Sequence, residues 1–330
     1  MTHPKLVEHV IPSSRVLITG GAGFIGSHFV DALIRGSEHV CVYDNLSGGS
    51  LENVSRWMAN PRFVFRPKDL RTIEVSDMQD CEIVLHLAAN PEVRTTLTDP
   101  ATHFQQNVEA TFALLEAVRR ADSIKTLVFT SSSTVYGDAS IVPTPEDYSP
   151  LEPISVYGAS KLACEALITA YAHTYGFRAV IYRLANIVGP RSRHGVTYDF
   201  VQKLKKDPKR LEILGDGTQR KSYLYIDDLI ESIILSLEKS NRRVEVLNVG
   251  SEDQVDVGSI AQIVIEEMEL KGISLAFTGG VDGGRGWKGD VKNMHLDIKK
   301  LMSYGWSPKH TSADAIRLTA RKLIQADSNI

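Results

Sequence analysis

The chain has 330 residues, 43% hydrophobic and 23% charged, which is enough for a full-sized core in one large domain or two smaller ones. A formal net charge of -3 gives no electrostatic case for nucleic acid or an anionic membrane surface, and no apolar run approaches the roughly 20 residues needed to span a bilayer. The expectation is a cytoplasmic globular protein with no nucleic-acid or membrane partner, and anionic small molecules stay open as ligands.

Residues 1–14 lack the continuous apolar segment of a secretory signal and read as a short N-terminal tail. Short apolar runs follow at "RVLITG" (15–20), "HVCVYD" (39–44), "RFVFR" (62–66), "EIVLHLAA" (82–89), "TLVFTSS" (126–132) and "RAVIYRLAN" (178–186). Most segments between them have helical spacing, an alternation that predicts a parallel sheet with helices on both faces. Beyond about residue 183 the pattern changes to shorter elements separated by Gly- and Pro-containing loops at 189–195, 215–218 and 279–290. "IDDLIESIILSLEK" and "EVLNVG", within 222–249, read as a helix and strand that return to the sheet. The expected architecture is therefore α/β: a doubly wound parallel sheet over 15–182, then a smaller, discontinuous C-terminal substrate lobe over most of 183–330. Cys41, Cys81 and Cys164 show neither metal-ligand spacing nor a pairing pattern and read as buried thiols. No metal site is expected.

The first chemical signature is "LITGGAGFIGSHFVDALI", where Gly20, Gly23 and Gly26 follow a strand and open a helix. Glycines there let the backbone turn tightly and approach a pyrophosphate, while the helix N-terminus offers free N–H groups. Asp44, ending the second strand, can accept hydrogen bonds from both adenosine ribose hydroxyls and would repel a 2′-phosphate, so the expected cofactor is NAD rather than NADP. In "SVYGASKLACEAL" (155–167), Tyr157 and Lys161 stand one helical turn apart on one face. A nearby cation, with the positive nicotinamide of oxidised NAD adding its field, favours phenolate, and lowering a tyrosine pKa by about 3 units takes roughly 4 kcal/mol of preferential stabilisation. The pair would then work as a general base.

These stretches, with "YDNLSGG", "LHLAA", "NVEAT", "TSSSTVYGD", "RLANIVGPR", "GDGTQRKSYLYIDD" and "RGWKGDV", resemble the extended short-chain dehydrogenase/reductases of the nucleotide-sugar epimerase and dehydratase group. The resemblance runs from about residue 15 to about 323. It implies a Rossmann-type fold in which Gly20, Gly23 and Gly26, with Phe24 and Ile25, cradle the NAD pyrophosphate. Asp44 and Asn45 would hold the ribose, Asp69 and Leu70 would lie beside adenine, Leu87, Ala88 and Ala89 would pass beneath the cofactor, and Asn107 would follow on the next helix. Lys161 would also grip the nicotinamide ribose, and Ser132 would hydrogen-bond the sugar 4-oxygen and share the proton with Tyr157.

The resemblance also discriminates among reactions. Dehydratases of the group carry Asp-Glu after the catalytic hydroxyl, where this chain has Ser133 and Thr134, so 4-epimerisation of UDP-glucose and UDP-galactose through a transient 4-keto sugar is implied. Other nucleotide-sugar epimerases, acting on N-acetylhexosamine or uronic acid, and a related reductase are the alternatives. On the substrate side Asn186, Arg285 and Asp290 resemble diphosphate and ribose contacts. Either Arg220 or Lys221 fills the position of a phosphate-binding arginine. Val196 and Phe200 would line the base pocket, and Met294 stands where residue size governs the C2 substituent. Helices around 104–120 and 156–175, with Phe104, Val108, Phe112 and Leu115 on one and Leu162, Leu167, Tyr171 and Tyr175 on the other, are implied to pair as a four-helix homodimer interface.

Overall fold

Each apolar run of the first half forms a strand: β1 (Arg15–Thr19), β2 (His39–Tyr43), β3 (Phe63–Arg66), β4 (Ile83–His86), β5 (Thr126–Ser132) and β6 (Arg178–Leu184). Between them lie α1 (Phe24–Leu33), α2 (Pro100–His103), α3 (Ala110–Val118) and α4 (Val156–Tyr175). The computed structural model describes residues 14–78 and 80–327, so the expected tail lies outside the described residues apart from Ser14.

The second half adds β7 (Asn186–Val188), α5 (Val196–Lys206), β8 (Arg210–Ile213), β9 (Arg220–Lys221), β10 (Tyr223–Tyr225), α6 (Ile226–Lys239) and β11 (Val244–Val249). β12 (Val255–Asp256), α7 (Val257–Glu267), β13 (Ser274–Phe277), β14 (Asn293–Met294), α8 (Lys299–Met302) and α9 (Ser312–Asp327) complete the chain. The seven-stranded sheet runs β11-β6-β5-β4-β1-β2-β3, every neighbour parallel. α6 and β11 do return to it, β11 pairing with β6. This is a Rossmann-type sheet.

Its two-sidedness follows from the pleat. In β1, Val16 and Ile18 enter one apolar core and Leu17 the other; in β2, Val40 and Val42 part from Cys41 and Tyr43 in the same way. α3 and α4 cover the second face with Leu114, Leu115, Cys164 and Ile168, whereas α1, α5, α6, α7 and α9 pack on the side of the first. The strand order reverses between β1 and β4, which opens a crevice at the carboxyl ends of those strands. The short sheets β7–β10 and β12–β9–β14 contribute Asn186, Tyr223, Lys221 and Met294 to its other wall, and β8 pairs with β13 in a further short sheet.

Two helical expectations need correction. The helix expected around 104–120 begins earlier and is interrupted: α2 and α3 are joined by π-helical Phe104–Glu109. Within that segment Asn107 is buried; its side chain accepts from Asn90 N at 2.8 Å and donates to Ser160 Oγ at 2.9 Å, binding the loop after β4 to α4. Leu115, expected at an exposed interface, is fully buried in the core between sheet and helices. Phe104, Phe112 and Tyr175 are exposed, while Val108, Leu162, Leu167 and Tyr171 are half-buried. All three cysteines are free and buried.

Candidate active site

The glycine loop is built for close approach. Gly20 has φ +72°, and a Cβ there would lie 2.7 Å from Ala88 N; a Cβ on Gly26 would lie 2.2 Å from Gly20 O. α1 starts behind Gly23, with no side-chain cap and no acidic residue in its first turn, so its leading amides are left to the cleft that Gly23, Phe24, Ile25 and Gly26 line. Asp44 braces this loop: Oδ2 accepts from Ala22 N at 2.9 Å and Oδ1 from Leu46 N at 2.7 Å. Burial raises its pKa, and these amide hydrogen bonds oppose the rise. Asn45 donates to Asp69 at 3.1 Å, and a two-pronged pair with Arg71 holds the Asp69 carboxyl down at about 2. Leu70, Leu87, Ala88 and Ala89 complete this half of the lining.

β5 and α4 converge on the cleft from the other side. α4 is capped by Ser155, whose side chain accepts from Gly158 N, and closes at Gly176 in the left-handed region; Tyr157 and Lys161 both face the cleft. At the end of β5, Ser132 Oγ accepts from Thr134 N at 3.2 Å and Thr134 Oγ1 at 2.9 Å, with Ser133 and Thr134 also lining the site.

In the chain without its cofactor, burial dominates the electrostatics of both members of the pair. Burial pushes the Tyr157 phenol up to about 12, partly offset by a hydrogen bond with Ser132, and burial pulls the Lys161 ammonium down to about 8. Lys161 Nζ donates to Thr130 O at 2.9 Å and sits 4.7 Å from the Phe129 ring centre. Taking either charge out of water costs more than this chain alone restores, so the lysine does not by itself lower the phenol pKa.

The substrate-side residues separate cleanly. Asn186, Val196, Phe200, Lys221, Asp290 and Met294 line the cleft, with Lys221 Nζ 2.6 Å from Asp290 Oδ1. Successive residues of β9 point to opposite faces, which sends Lys221 inward and leaves Arg220 exposed outside the lining. Arg285 is likewise outside the lining: its guanidinium pairs with Asp138 at 2.9–3.0 Å and donates to Asp290 O. Asn107 is the third expected residue that does not reach the cleft, being committed to Asn90 and Ser160. Residues that sequence reasoning passed over also line it: Glu92, Arg94, Arg191, Asp199 and Trp287. Trp287 lies inside the quoted "RGWKGDV" stretch, whereas nothing local marks Asp199.

A doubly wound parallel sheet, a glycine loop leading into an uncapped helix, a carboxylate at the end of β2 and a Ser/Tyr/Lys set at the ends of β5 and α4 define a dinucleotide-dependent enzyme. The comparisons carry this further. The NAD dependent epimerase/dehydratase family matches residues 16–250. A UDP-glucose 4-epimerase of Lactobacillus helveticus is 30% identical over 93% of this chain and 96% of its own. A crystal structure of a UDP-galactose 4-epimerase is 44% identical at TM-score 0.83, covering 94% of this chain and 99% of the other. A UDP-glucuronic acid 4-epimerase from Bacillus cereus, in complex with UDP-glucuronic acid and NAD, is 30% identical at TM-score 0.85, covering 94% and 99%. The chain belongs to the NAD-dependent epimerase/dehydratase family, is an NAD-dependent sugar-nucleotide epimerase by class, and uses NAD as its cofactor. Among the described residues no helix is long and apolar enough to cross a membrane.

Proposed function

We propose that the chain interconverts UDP-glucose and UDP-galactose by oxidising and re-reducing C4. The observation that carries this reading is the Ser132, Tyr157 and Lys161 set with no carboxylate at 133 or 134, so the acid and base that a dehydratase would need beside the hydroxyl are absent from those positions. The 44% identity to a UDP-galactose 4-epimerase supports it.

NAD held in this cleft would supply a hydride acceptor for C4 and, once reduced, the hydride donor. Gly20, Gly23, Phe24, Ile25 and Gly26 would hold its pyrophosphate, Asp44 and Asn45 its ribose, and Asp69 and Leu70 would flank the adenine. Tyr157 takes the proton of the sugar 4-hydroxyl, Ser132 hydrogen-bonds the 4-oxygen, and the 4-keto sugar turns over before the proton is given back. With the phenol held near pKa 12 almost no phenolate forms at neutral pH in the chain alone, and the positive charge of oxidised NAD, once bound, would add to that of Lys161 in favouring it. Lys221 and Asp290, with Asn186, Val196 and Phe200, would anchor the nucleotide, leaving the hexose free to rotate. In this reading 15–182 with the return segment near 222–249 is the NAD-binding domain and most of 183–330 the nucleotide-sugar domain.

Met294 is buried but flexible, and it leaves acetamido sugars as the second reading. A cytoplasmic homodimer through exposed Phe104, Phe112 and Tyr175 belongs to the same proposal. The test is NMR of UDP-galactose, UDP-N-acetylgalactosamine and UDP-galacturonic acid incubated with the protein without added NAD, using Tyr157→Phe as control. UDP-glucose made by the wild type and not by the variant supports the assignment. Turnover of the acetamido sugar alone transfers it to the second reading.

A further inference from the structure

Between the catalytic tyrosine and the Lys221 anchor the cleft has a wall that the reading above leaves without a role. The segment Val93–Leu97 abuts α4, with Tyr157 N donating to Thr96 Oγ1 at 3.4 Å. Two residues back, Arg94 reaches into the cleft and makes two parallel hydrogen bonds to Glu92, Nε–Oε1 and Nη2–Oε2 both 2.9 Å. Its remaining nitrogen, Nη1, faces Asp199 Oδ2 of α5 at 3.7 Å. The guanidinium lies 6.0 Å from the Trp287 ring centre, and Lys221 Nζ approaches the same ring at 5.7 Å. Tyr157, Arg94, Trp287 and Lys221 all line the cleft, and in the proposed reading the hexose lies between Tyr157 at the reacting end and Lys221 at the anchored end. Trp287 Nε1 is buried and has no acceptor among the described residues, leaving one donor for a hydroxylated ligand.

The charge on this wall is spent internally. Two carboxylates, Glu92 and Asp199, face one guanidinium; hydrogen bonds from Arg94 hold Glu92 below the usual carboxylate range, and burial lifts Asp199. Lys203, one turn beyond Asp199, is paired with Glu212 at 3.3 Å. His194 is the remaining titratable neighbour, and Arg193 stands exposed at the rim. A paired guanidinium still donates and packs on the indole but offers a ligand no net positive charge, and an incoming carboxylate would meet two of its own kind.

We infer that Glu92, Arg94, Asp199 and Trp287 form a charge-compensated wall that selects uncharged hexoses and rejects those with a C6 carboxylate. The inference rests on the epimerase reading, because a sugar that turns over in place presents its C6 substituent to opposite walls in its two orientations. Both orientations are needed for turnover, so repulsion in one suffices to block the reaction. Glu92 is the discriminating group: while it occupies the Arg94 fork, a uronate cannot.

The experiment compares kcat/KM for UDP-galacturonic acid and UDP-galactose on the NAD-bound wild type, Glu92→Gln and Asp199→Asn, with bound NAD and Tm checked on each. The wild type is expected to disfavour the uronate at least a hundredfold, and Glu92→Gln to raise the uronate-to-hexose ratio at least tenfold, whatever it does to the hexose rate. Asp199→Asn, an independent variant should Glu92→Gln not fold, moves the ratio the same way by less. Near-equal use of both sugars by the wild type, or an unchanged ratio in the folded variants, overturns the inference. If UDP-galactose fails and UDP-N-acetylgalactosamine turns over, the glucose/galactose reading is lost and the ratio is taken against the acetamido sugar. If nothing turns over, the same ratio is read from calorimetric Kd values.

Discussion

Lys221 Nζ lies 2.6 Å from Asp290 Oδ1 inside the cleft, while its neighbour Arg220 is exposed on the opposite face of β9. Replacing Lys221 by Met removes a charge-assisted contact of about 1.5–3 kcal/mol. It should raise KM for the UDP-sugar by roughly 10- to 100-fold, with a smaller change in kcat. It also leaves the buried Asp290 carboxylate short of its cation and so lowers Tm. Arg220→Ala should leave KM within about twofold, since surface changes of this kind stay near 0.5 kcal/mol. Steady-state kinetics of the two variants, side by side, decide which residue holds diphosphate.

Lys161 is poised at the expense of stability. Its folded pKa of about 8 lies below the ordinary lysine value, so between there and about 10.5 the unfolded chain holds the extra proton. Stability of the NAD-free protein should therefore rise with pH across that window, and above about pH 10 the raised Tyr157 phenol works in the opposite sense. Lys161→Met should abolish turnover yet stabilise the NAD-free protein at pH 7, by up to about 3 kcal/mol, and flatten the rise. Urea unfolding at pH 7 and 9 reads both effects.

His86 is buried between Thr19 Oγ1, 2.8 Å from Nδ1, and Thr111 Oγ1, 2.9 Å from Nε2. Burial first and the Lys161 charge second bring its pKa down to about 3. The group is neutral in the folded chain over a range where the unfolded chain protonates, so its contribution is complete above about pH 6.5 and is lost as pH falls toward 3. Wild type should lose about 2 kcal/mol more than His86→Gln between pH 6.5 and pH 5. Equal losses would show that the folded chain accommodates the imidazolium.

Gly26→Ala would place a methyl group 2.2 Å from Gly20 O. The loop and α1 must separate, so NAD should no longer copurify and added NAD should bind at least about a hundredfold more weakly, about 2.8 kcal/mol.

Phe112 is 48% exposed and stands edge-on to Tyr171 with ring centres 6.4 Å apart; Tyr171 in turn lies 5.1 Å from Tyr175. Phe112→Glu on this aromatic strip should convert the proposed dimer to monomer in light scattering. A wild type that is already monomeric contradicts the four-helix arrangement.

How far the sequence reaches depends on whether a feature is local. Six short apolar runs separated by segments of helical spacing are local signals and make the sheet legible, whereas the parting of Val16 and Ile18 into one core and Leu17 into the other appears only in the structure. The glycine positions were legible for the same reason, because turn geometry and the helix start lie within seven residues. The i,i+4 spacing correctly put Tyr157 and Lys161 on one face, but it could not show that the ammonium reaches back to Thr130 on β5. The pairing of Arg285 with Asp138, 147 residues away, is not legible from local sequence. Nor is the burial of Asn107, which lies in a π-helical segment and bonds to Asn90 and Ser160. Arg94 pairs with a residue two positions off, yet its place in the cleft exists only once α5 brings Asp199 across.

The central claim is that the C4 hydrogen leaves and returns within one bound cofactor while Tyr157 handles only the hydroxyl proton. The most direct measurement is conversion of UDP-galactose in D2O, followed by NMR of the product. The account predicts UDP-glucose that keeps protium at C4. Deuterium at C4 would mean that the hydrogen exchanges with solvent as a proton, and would contradict the mechanism.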